Sequence, residues 1–252
     1  MWTDRQAIEV FHLLFLRSFG ARVDKSLFAL KGGCNLRFYH RSIRYSEDMD
    51  LDIRTMAVST LKSNVDSILA ADAFRHPLRA QGLTIETVST PKQTATTQHW
   101  KITLRSIESR ASIPTKIEFS RRALDDGASL APVDPAVLRT YKLYSVITQR
   151  YDADAALGQK IAALALRSAV QARDIFDLKL LLDAGAPSVV PPADVRKLLP
   201  QAIENAMSIG FEEFAGQVVA FLEPEHQADF AERGSWEALQ ERVVDALRGL
   251  RP

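Results

Sequence analysis

Residues 48–53 read Asp-Met-Asp-Leu-Asp-Ile, an unbroken alternation of acidic and apolar side chains. In an extended chain successive side chains point to opposite faces, so the segment is predicted to be a half-buried strand. Asp48, Asp50 and Asp52 then share its polar face. Acidic residues are poor strand formers, and like charges on one strand face repel. Two unit charges about 4 Å apart cost roughly 1 kcal/mol even in bulk water. The flanks offer only Arg44 and Arg54 at the two ends. Some compensating partner is implied.

Three readings compete for this face. A Ca²⁺-binding EF-hand loop requires Gly at its sixth place and Glu at its twelfth, where the chain has Ile53 and Ser59. That reading fails. A solvated polar strand is the common fate of strand charges, but it leaves the repulsion uncompensated. A divalent-metal site offsets it, because Mg²⁺ takes hard oxygen ligands and keeps places for water and substrate phosphates. The third reading needs a phosphate-binding element nearby. Lys31-Gly32-Gly33 supplies a candidate, since glycine lets backbone amides approach an anion and a following helix aims its positive end at it. The turn matches neither the P-loop nor the dinucleotide fingerprint.

Elsewhere the hydrophobic period divides the chain. Gln6 to Phe19 has helical spacing with Gly20 as a stop, and Ser26 to Leu30 reads as a strand. Asn35 to Tyr39 reads as the first turns of a helix. Val58 to Ala71 is amphipathic. The period then falls to two over Leu83–Val88, Trp100–Leu104 and Thr115–Ser120, a strand pattern. Asp125-Asp126-Gly127 is a predicted turn and Leu143 to Thr148 a last strand. From about Asp154 the chain reads as helical: Ala155 to Val170, Ala172 to Leu182, Asp194 to Met207, Phe211 to Phe221, and Trp236 to Leu247 with Gly249 as a stop. The expectation is an α+β chain, with a mixed α/β part over residues 1–150 and an all-helical part over residues 151–252.

Composition narrows the function classes. A net charge of +1 over 252 residues gives no global basic field, so any polyanion must meet a local patch. The stretch with Lys101, Arg105, Arg110, Lys116, Arg121 and Arg122 is the most basic one, either an RNA-backbone surface or a solvated sheet face. Cys34 is the one cysteine, which excludes an internal disulfide and a multi-cysteine zinc site. His12, His40, His76, His99 and His226 show no ligand spacing. The apolar run Val10–Leu16 is interrupted by His12 and too short to span a bilayer, so no membrane role and a cytoplasmic location are expected.

Lys31-Gly32-Gly33-Cys34-Asn35-Leu36-Arg37, followed by Arg44-Tyr45-Ser46-Glu47-Asp48-Met49-Asp50-Leu51, resembles the "KGGtxLR…RxSxDxDL" signature of the AbiEii/AbiGii toxin family. These nucleotidyltransferase-like proteins belong to bacterial type IV toxin–antitoxin and phage-abortive systems, with relatives among the mycobacterial MenT toxins. Lys160 to Arg167 and Ala172 to Leu178 resemble the family's "KxxALxxR…RDxxDL" element. The motifs span roughly residues 28 to 180.

The resemblance implies a core like the DNA polymerase β nucleotidyltransferase fold, with a mixed sheet and a Gly-Gly turn before an Asp-x-Asp metal pair. It implies transfer of NMP from an NTP, Mg²⁺ or Mn²⁺ on Asp48 and Asp50, an RNA acceptor (the 3′ end of tRNA) and a cognate antitoxin. A protein acceptor, or a module that binds nucleotide without turnover, are the alternatives. Asp52 has the right face but lies beyond the motif, and a sheet-edge position is its other reading. Glu118 is the candidate third carboxylate, or else a cross-strand partner for a base. Lys160 matches the lysine that meets the triphosphate, or else is a solvated helix residue. Asp174 matches the acid that orients it, against a local Arg173–Asp177 pair as the structural reading. Gly32, Gly33, Ser46 and Arg37 fit phosphate or sugar contacts, and Arg37 could equally brace the loop. The family's small hydroxyl residue after Gly-Gly is replaced by Cys34, a weaker donor.

Overall fold

The computed structural model describes residues 2–121 and 127–250. The chain divides into two compact units, one formed by the residues up to Arg41 with Tyr45–Tyr151, the other by Ser42–Arg44 with the chain from Asp152 onward.

The first unit begins with helix α1, Asp4–Arg22, whose Thr3 cap and Gln6 satisfy each other's backbone donors in a capping box. Gly20 lies inside this helix rather than ending it. An interior glycine costs only about 1 kcal/mol, and this one is buried, with the Lys25 ammonium bonded to its carbonyl. Strand β1 (Phe28–Lys31) runs directly into helix α2 (Gly32–Tyr39), which starts on the double glycine itself. Strand β2 (Asp48–Ile53) follows, then helices α3 (Val58–Ala70) and α4 (Asp72–Ala80). Helix α4 carries no sequence signal because Pro77 sits within it; Phe74 and Leu78 bury its inner side.

Strands β3 (Leu83–Gln93), β4 (Thr97–Ser106) and β5 (Ser112–Arg121) form a meander. The predicted turn at Asp125-Asp126 lies outside the described residues. Strand β6 (Ala128–Pro132), helix α5 (Pro135–Thr140) and strand β7 (Ile147–Tyr151) complete the unit. The last strand therefore starts at Ile147, not Leu143. Val146 is instead buried in the core ahead of the strand, its carbonyl held by the Val133 amide.

The seven strands form one mixed sheet in the order β3-β4-β5-β2-β1-β7-β6, with β2 fourth of seven. Strands β2 and β5 are parallel, as are β1 and β7; the other neighbours are antiparallel. One sheet face is apolar. Met49, Leu51 and Ile53 are fully buried on it, beside Trp100, Ile117 and Phe119. Phe19 of α1 packs against Phe28 and Phe119, and Asp66 of α3 accepts a bond from the Trp100 indole. This burial fixes the register of β2, since a one-residue slip would send its aspartates into the core.

The second unit holds helices α6 (Ala153–Leu166), α7 (Ala172–Asp183), α8 (Ala193–Ser208), α9 (Phe211–Gln217) and α10 (Arg233–Gly249). Helix α6 stops at Leu166, short of Val170, where Asn205 donates to the carbonyls of Leu164 and Ala165. Helix α9 ends at Gln217, and a separate 3₁₀ turn covers Val219–Phe221. Gly249 is the last residue of α10 rather than the residue beyond it. Phe176, Phe214 and Trp236 are buried at the centre of the unit. Among the described residues no helix is long and apolar enough to cross a membrane.

Candidate active site

The parallel register of β2 and β5 builds the acidic site in the first unit. Asp48 lies beside Lys116, Asp50 beside Glu118 and Asp52 beside Ser120. Strand β4 extends these rows with Lys101, His99 and Thr97, while β1 places Lys31 opposite Asp50. Asp48, Asp50 and Glu118 thus come together on the polar sheet face.

Asp52 shares that face but has its own partners. It is buried, paired with the Lys31 ammonium, and accepts a hydrogen bond from the Tyr151 hydroxyl at 3.0 Å. With β1 on one side and β5 on the other, it is not at a sheet edge.

Lys116 enters the acidic cluster. Its ammonium lies 3.2 Å from Asp48 Oδ2 and 3.3 Å from Glu118 Oε2, while His99 Nε2 approaches Glu118 Oε2 at 3.0 Å. Glu118 thus has the cross-strand basic partners that its structural reading expects, and it lies beside Asp50. Burial raises the pKa of Asp50; the Glu118 field raises it further, Lys116 opposes, and Asp48 adds to the rise. For Lys116, burial acts downward, but the fields of Asp48 and Asp50 with the bond to Asp48 outweigh it and leave the pKa above the ordinary lysine value.

Gly32 closes the site from below. Its φ of +65° is left-handed, and a Cβ placed there would sit 2.9 Å from Asp50 Oδ2. Only glycine combines that turn with so close an approach of the carboxylate. The first amides of α2 follow at once, and the capping position, Lys31, makes no side-chain hydrogen bond to them.

Hydrogen bonds to the backbone hold the acidic strand in place. Ser46 Oγ and the buried Cys34 thiol donate to the Asp48 carbonyl at 2.9 and 3.3 Å. Thr115 Oγ1 donates to the Glu47 carbonyl at 2.6 Å and accepts from His12 Nε2 at 2.9 Å. Burial lowers the His12 pKa to about 3, so the ring stays neutral. The Cys34 side chain thus points to the Asp48 carbonyl and His12 Nδ1. Arg37 is nearly buried, bonded through two nitrogens to Glu9 at 2.6 and 3.3 Å, with its guanidinium over the Tyr45 ring. This is a bracing geometry for the loop ahead of β2.

In the second unit Lys160 is buried rather than solvated. Its ammonium sits 2.9 Å from Asp174 Oδ1 and 2.6 Å from Asp177 Oδ2. Arg44 makes bonds of 3.0 and 2.9 Å to the two oxygens of Asp177, and Arg167 Nε lies 3.1 Å from Asp174 Oδ2. Asp177 is therefore taken by Arg44 and Lys160, not by Arg173. Burial works against the Asp177 carboxylate, but Arg44 and Lys160 prevail and its pKa is lowered. Burial likewise pulls Lys160 down, and Asp177 with Asp174 raises it above its ordinary value.

Of the basic stretch, Lys101 is exposed beside Lys116, and Arg105 is paired with Glu86. Arg121 is bonded to the Met56 carbonyl and Gln98, and Arg122 lies outside the described residues. The sequence alone offers Lys116 only as part of a basic stretch, an RNA-backbone surface or a solvated sheet face, and gives His99 no ligand spacing. No local pattern could have moved them, because only the β4–β5–β2 register brings them to the carboxylates.

Carboxylates alone are hard-oxygen donors of the kind Mg²⁺ and Mn²⁺ take. Asp48 and Glu118 remain partly exposed, and the absence of a Cβ at Gly32 lets the Asp50 carboxylate lie close against the turn. In donor type these carboxylates suit a small divalent cation. As the side chains stand, no three His, Cys, Asp or Glu residues among those described converge on one cation position; the Lys116 ammonium lies between two of the acids.

Three solved structures share this fold. The chain is 17% identical to the nucleotidyltransferase toxin MenT4 of Mycobacterium tuberculosis, with a TM-score of 0.62 over 99% of this chain and 94% of that one. It is 14% identical to JHP933 from Helicobacter pylori, with a TM-score of 0.60 over 99% and 95% of the two chains. A further structure from H. pylori, 15% identical, gives 0.59 over 97% and 98%. No protein of curated function matches it in sequence. Residues 14–249 match the model of the nucleotidyl transferase AbiEii toxin of type IV toxin–antitoxin systems, and the chain belongs to that nucleotidyltransferase family.

Proposed function

We propose that the chain transfers NMP from an NTP to an acceptor hydroxyl at the polar face of β2 and β5, with Mg²⁺ or Mn²⁺ held by Asp48, Asp50 and Glu118. The register that sets Asp50 beside Glu118 carries this reading. A cation bound there supplies charge neutralisation and lowers the pKa of the attacking oxygen.

The chain's own residues do the positioning on which phosphoryl transfer depends. The amides of Gly32, Gly33 and the rest of the first turn of α2 offer donors and a positive helix end to phosphate oxygens. Ser46 and Cys34 fix the Asp48 carbonyl, and with it the direction of the strand. Arg37 fixes the loop that precedes it. From their motif positions, Lys160 is assigned to the nucleotide's phosphates and Asp174 to its orientation. Asp174 and Asp177 hold that ammonium charged and in one place.

The acceptor we assign is RNA, at the 3′ end of tRNA, and the regulating partner is a cognate antitoxin. The exposed Lys101, two strands from Asp48, offers a point of contact for an RNA phosphate. Incubating the protein with total RNA and each α-labelled NTP in turn, with Mg²⁺ or Mn²⁺, tests the proposal. Label should enter RNA of tRNA size with one NTP preferred. Label in protein alone would reassign the acceptor, and no transfer under any condition would overturn the proposal.

A further inference from the structure

We propose that Lys116 is a resident counter-ion of this site, which a divalent cation must displace in order to bind. The inference rests on the metal assignment made above and concerns what fills the same position before the metal arrives.

Asp50 and Glu118 are direct cross-strand neighbours, at the spacing of about 4.8 Å between adjacent strands, and Asp48 lies two residues along β2 on the same face. Three carboxylates so placed repel one another, and positive charge nearby offsets that cost. Of the lysines in these rows, Lys31 is committed to Asp52, and Lys101 is exposed. His99 approaches Glu118 on the side away from Asp50. Lys116 alone has its ammonium between two of the acids, 3.2 Å from Asp48 and 3.3 Å from Glu118.

Two of the three proposed metal ligands therefore already share a cation. A divalent ion and an ammonium cannot occupy one gap, since like charges a few ångströms apart repel strongly away from bulk water. Lysine suits an exchangeable role: its compact charge rides on a flexible four-carbon stem, and the partly exposed Lys116 side chain can rotate outward to solvent. The acidic face can thus fold without metal, and its metal affinity is set by the competition with Lys116.

Mn²⁺ titration followed by the paramagnetic resonance of free Mn²⁺ tests this without any turnover. Lys116→Met, which keeps the stem and loses the charge, should bind Mn²⁺ roughly tenfold more tightly than the wild type. In EDTA it should melt at lower temperature, and Mn²⁺ should raise its melting point more than that of the wild type. Lys116→Arg, which keeps the charge, should bind Mn²⁺ as weakly as the wild type. Equal affinity of Lys116→Met and wild type, or equal tightening in both variants, would overturn the counter-ion role and leave the metal assignment standing. Binding to none of the proteins would overturn the metal assignment and this inference with it.

Discussion

The two clusters of charge in this chain, one in each unit, are built on opposite balances. On the face of β2 and β5 three carboxylates gather around one lysine, and the carboxyl of Asp50 is held in a form it resists, with its pKa raised. In the helical unit three cations, Arg44, Lys160 and Arg167, surround two fully buried carboxylates, and Asp177 is held in the charged form with its pKa lowered. The first cluster carries surplus negative charge and stands partly open. The second is nearly self-neutralising, with both carboxylates fully buried and only Arg167 reaching the surface. A group of like charges persists in a fold only where the surrounding packing enforces it, and such places are where function concentrates. A matched buried network instead holds particular chain segments together: here Arg44 reaches Asp177 across 133 positions of sequence.

The contrast breaks most visibly at Asp177. Asp177→Asn leaves Arg44 and Lys160 buried with one carboxylate fewer, and should cost about 3–5 kcal/mol. Denaturant unfolding at neutral pH measures it, and a loss near zero would mean the network adds nothing to the fold. Because the folded-state pKa of Asp177 is depressed, its contribution is present above the ordinary carboxylate range and is lost as pH falls through the folded value. Acid should therefore weaken this cluster.

A smaller effect is expected at Gly32. Gly32→Ala forces an L-residue to φ +65° and drives a methyl toward Asp50 Oδ2. The backbone term alone is about 1–2 kcal/mol. Unfolding in EDTA gives the stability loss; if the alanine variant were as stable as wild type, the turn would not be pressed against Asp50 as described.

The smallest effect has the opposite sign. A raised folded pKa means that ionised Asp50 opposes folding, so its penalty grows as pH rises above the ordinary carboxylate range and vanishes below it. Without metal, Asp50→Asn should melt at or slightly above the wild-type temperature at pH 7, and the difference should shrink toward pH 4. A clear destabilisation at pH 7 would place Asp50 in the same class as Asp177 and dissolve the contrast.

Much of the first cluster is legible in the sequence, because strand alternation alone puts Asp48 and Asp50 on one face. The double glycine before them points to a close approach, and Glu118 between Ile117 and Phe119 shows its face by the same rule. The rest depends on pairing across the chain. That Lys116 falls beside Asp48 follows from a parallel register between strands more than sixty residues apart, and that Arg37 meets Glu9 follows from how α1 packs on α2. Asp174 and Lys160 share a motif, yet Arg44, the third partner of their cluster, comes from a three-residue segment of chain outside the helices. Local signals also misplace boundaries where tertiary contacts override them, as Gly20 inside α1 and Val146 buried ahead of β7 do.

The most direct measurement of the central claim is nucleotidyl transfer by Asp50→Asn, taken on the same sample whose folding has been verified by thermal melting. The proposed site predicts a rate lower by about 10³-fold or more, since electrostatic stabilisation of the transferring phosphoryl group is lost, with a melting temperature unchanged or slightly raised in EDTA. A folded Asp50→Asn protein that transferred nucleotide at the wild-type rate would contradict the claim that the acidic face of β2 and β5 is where the reaction occurs.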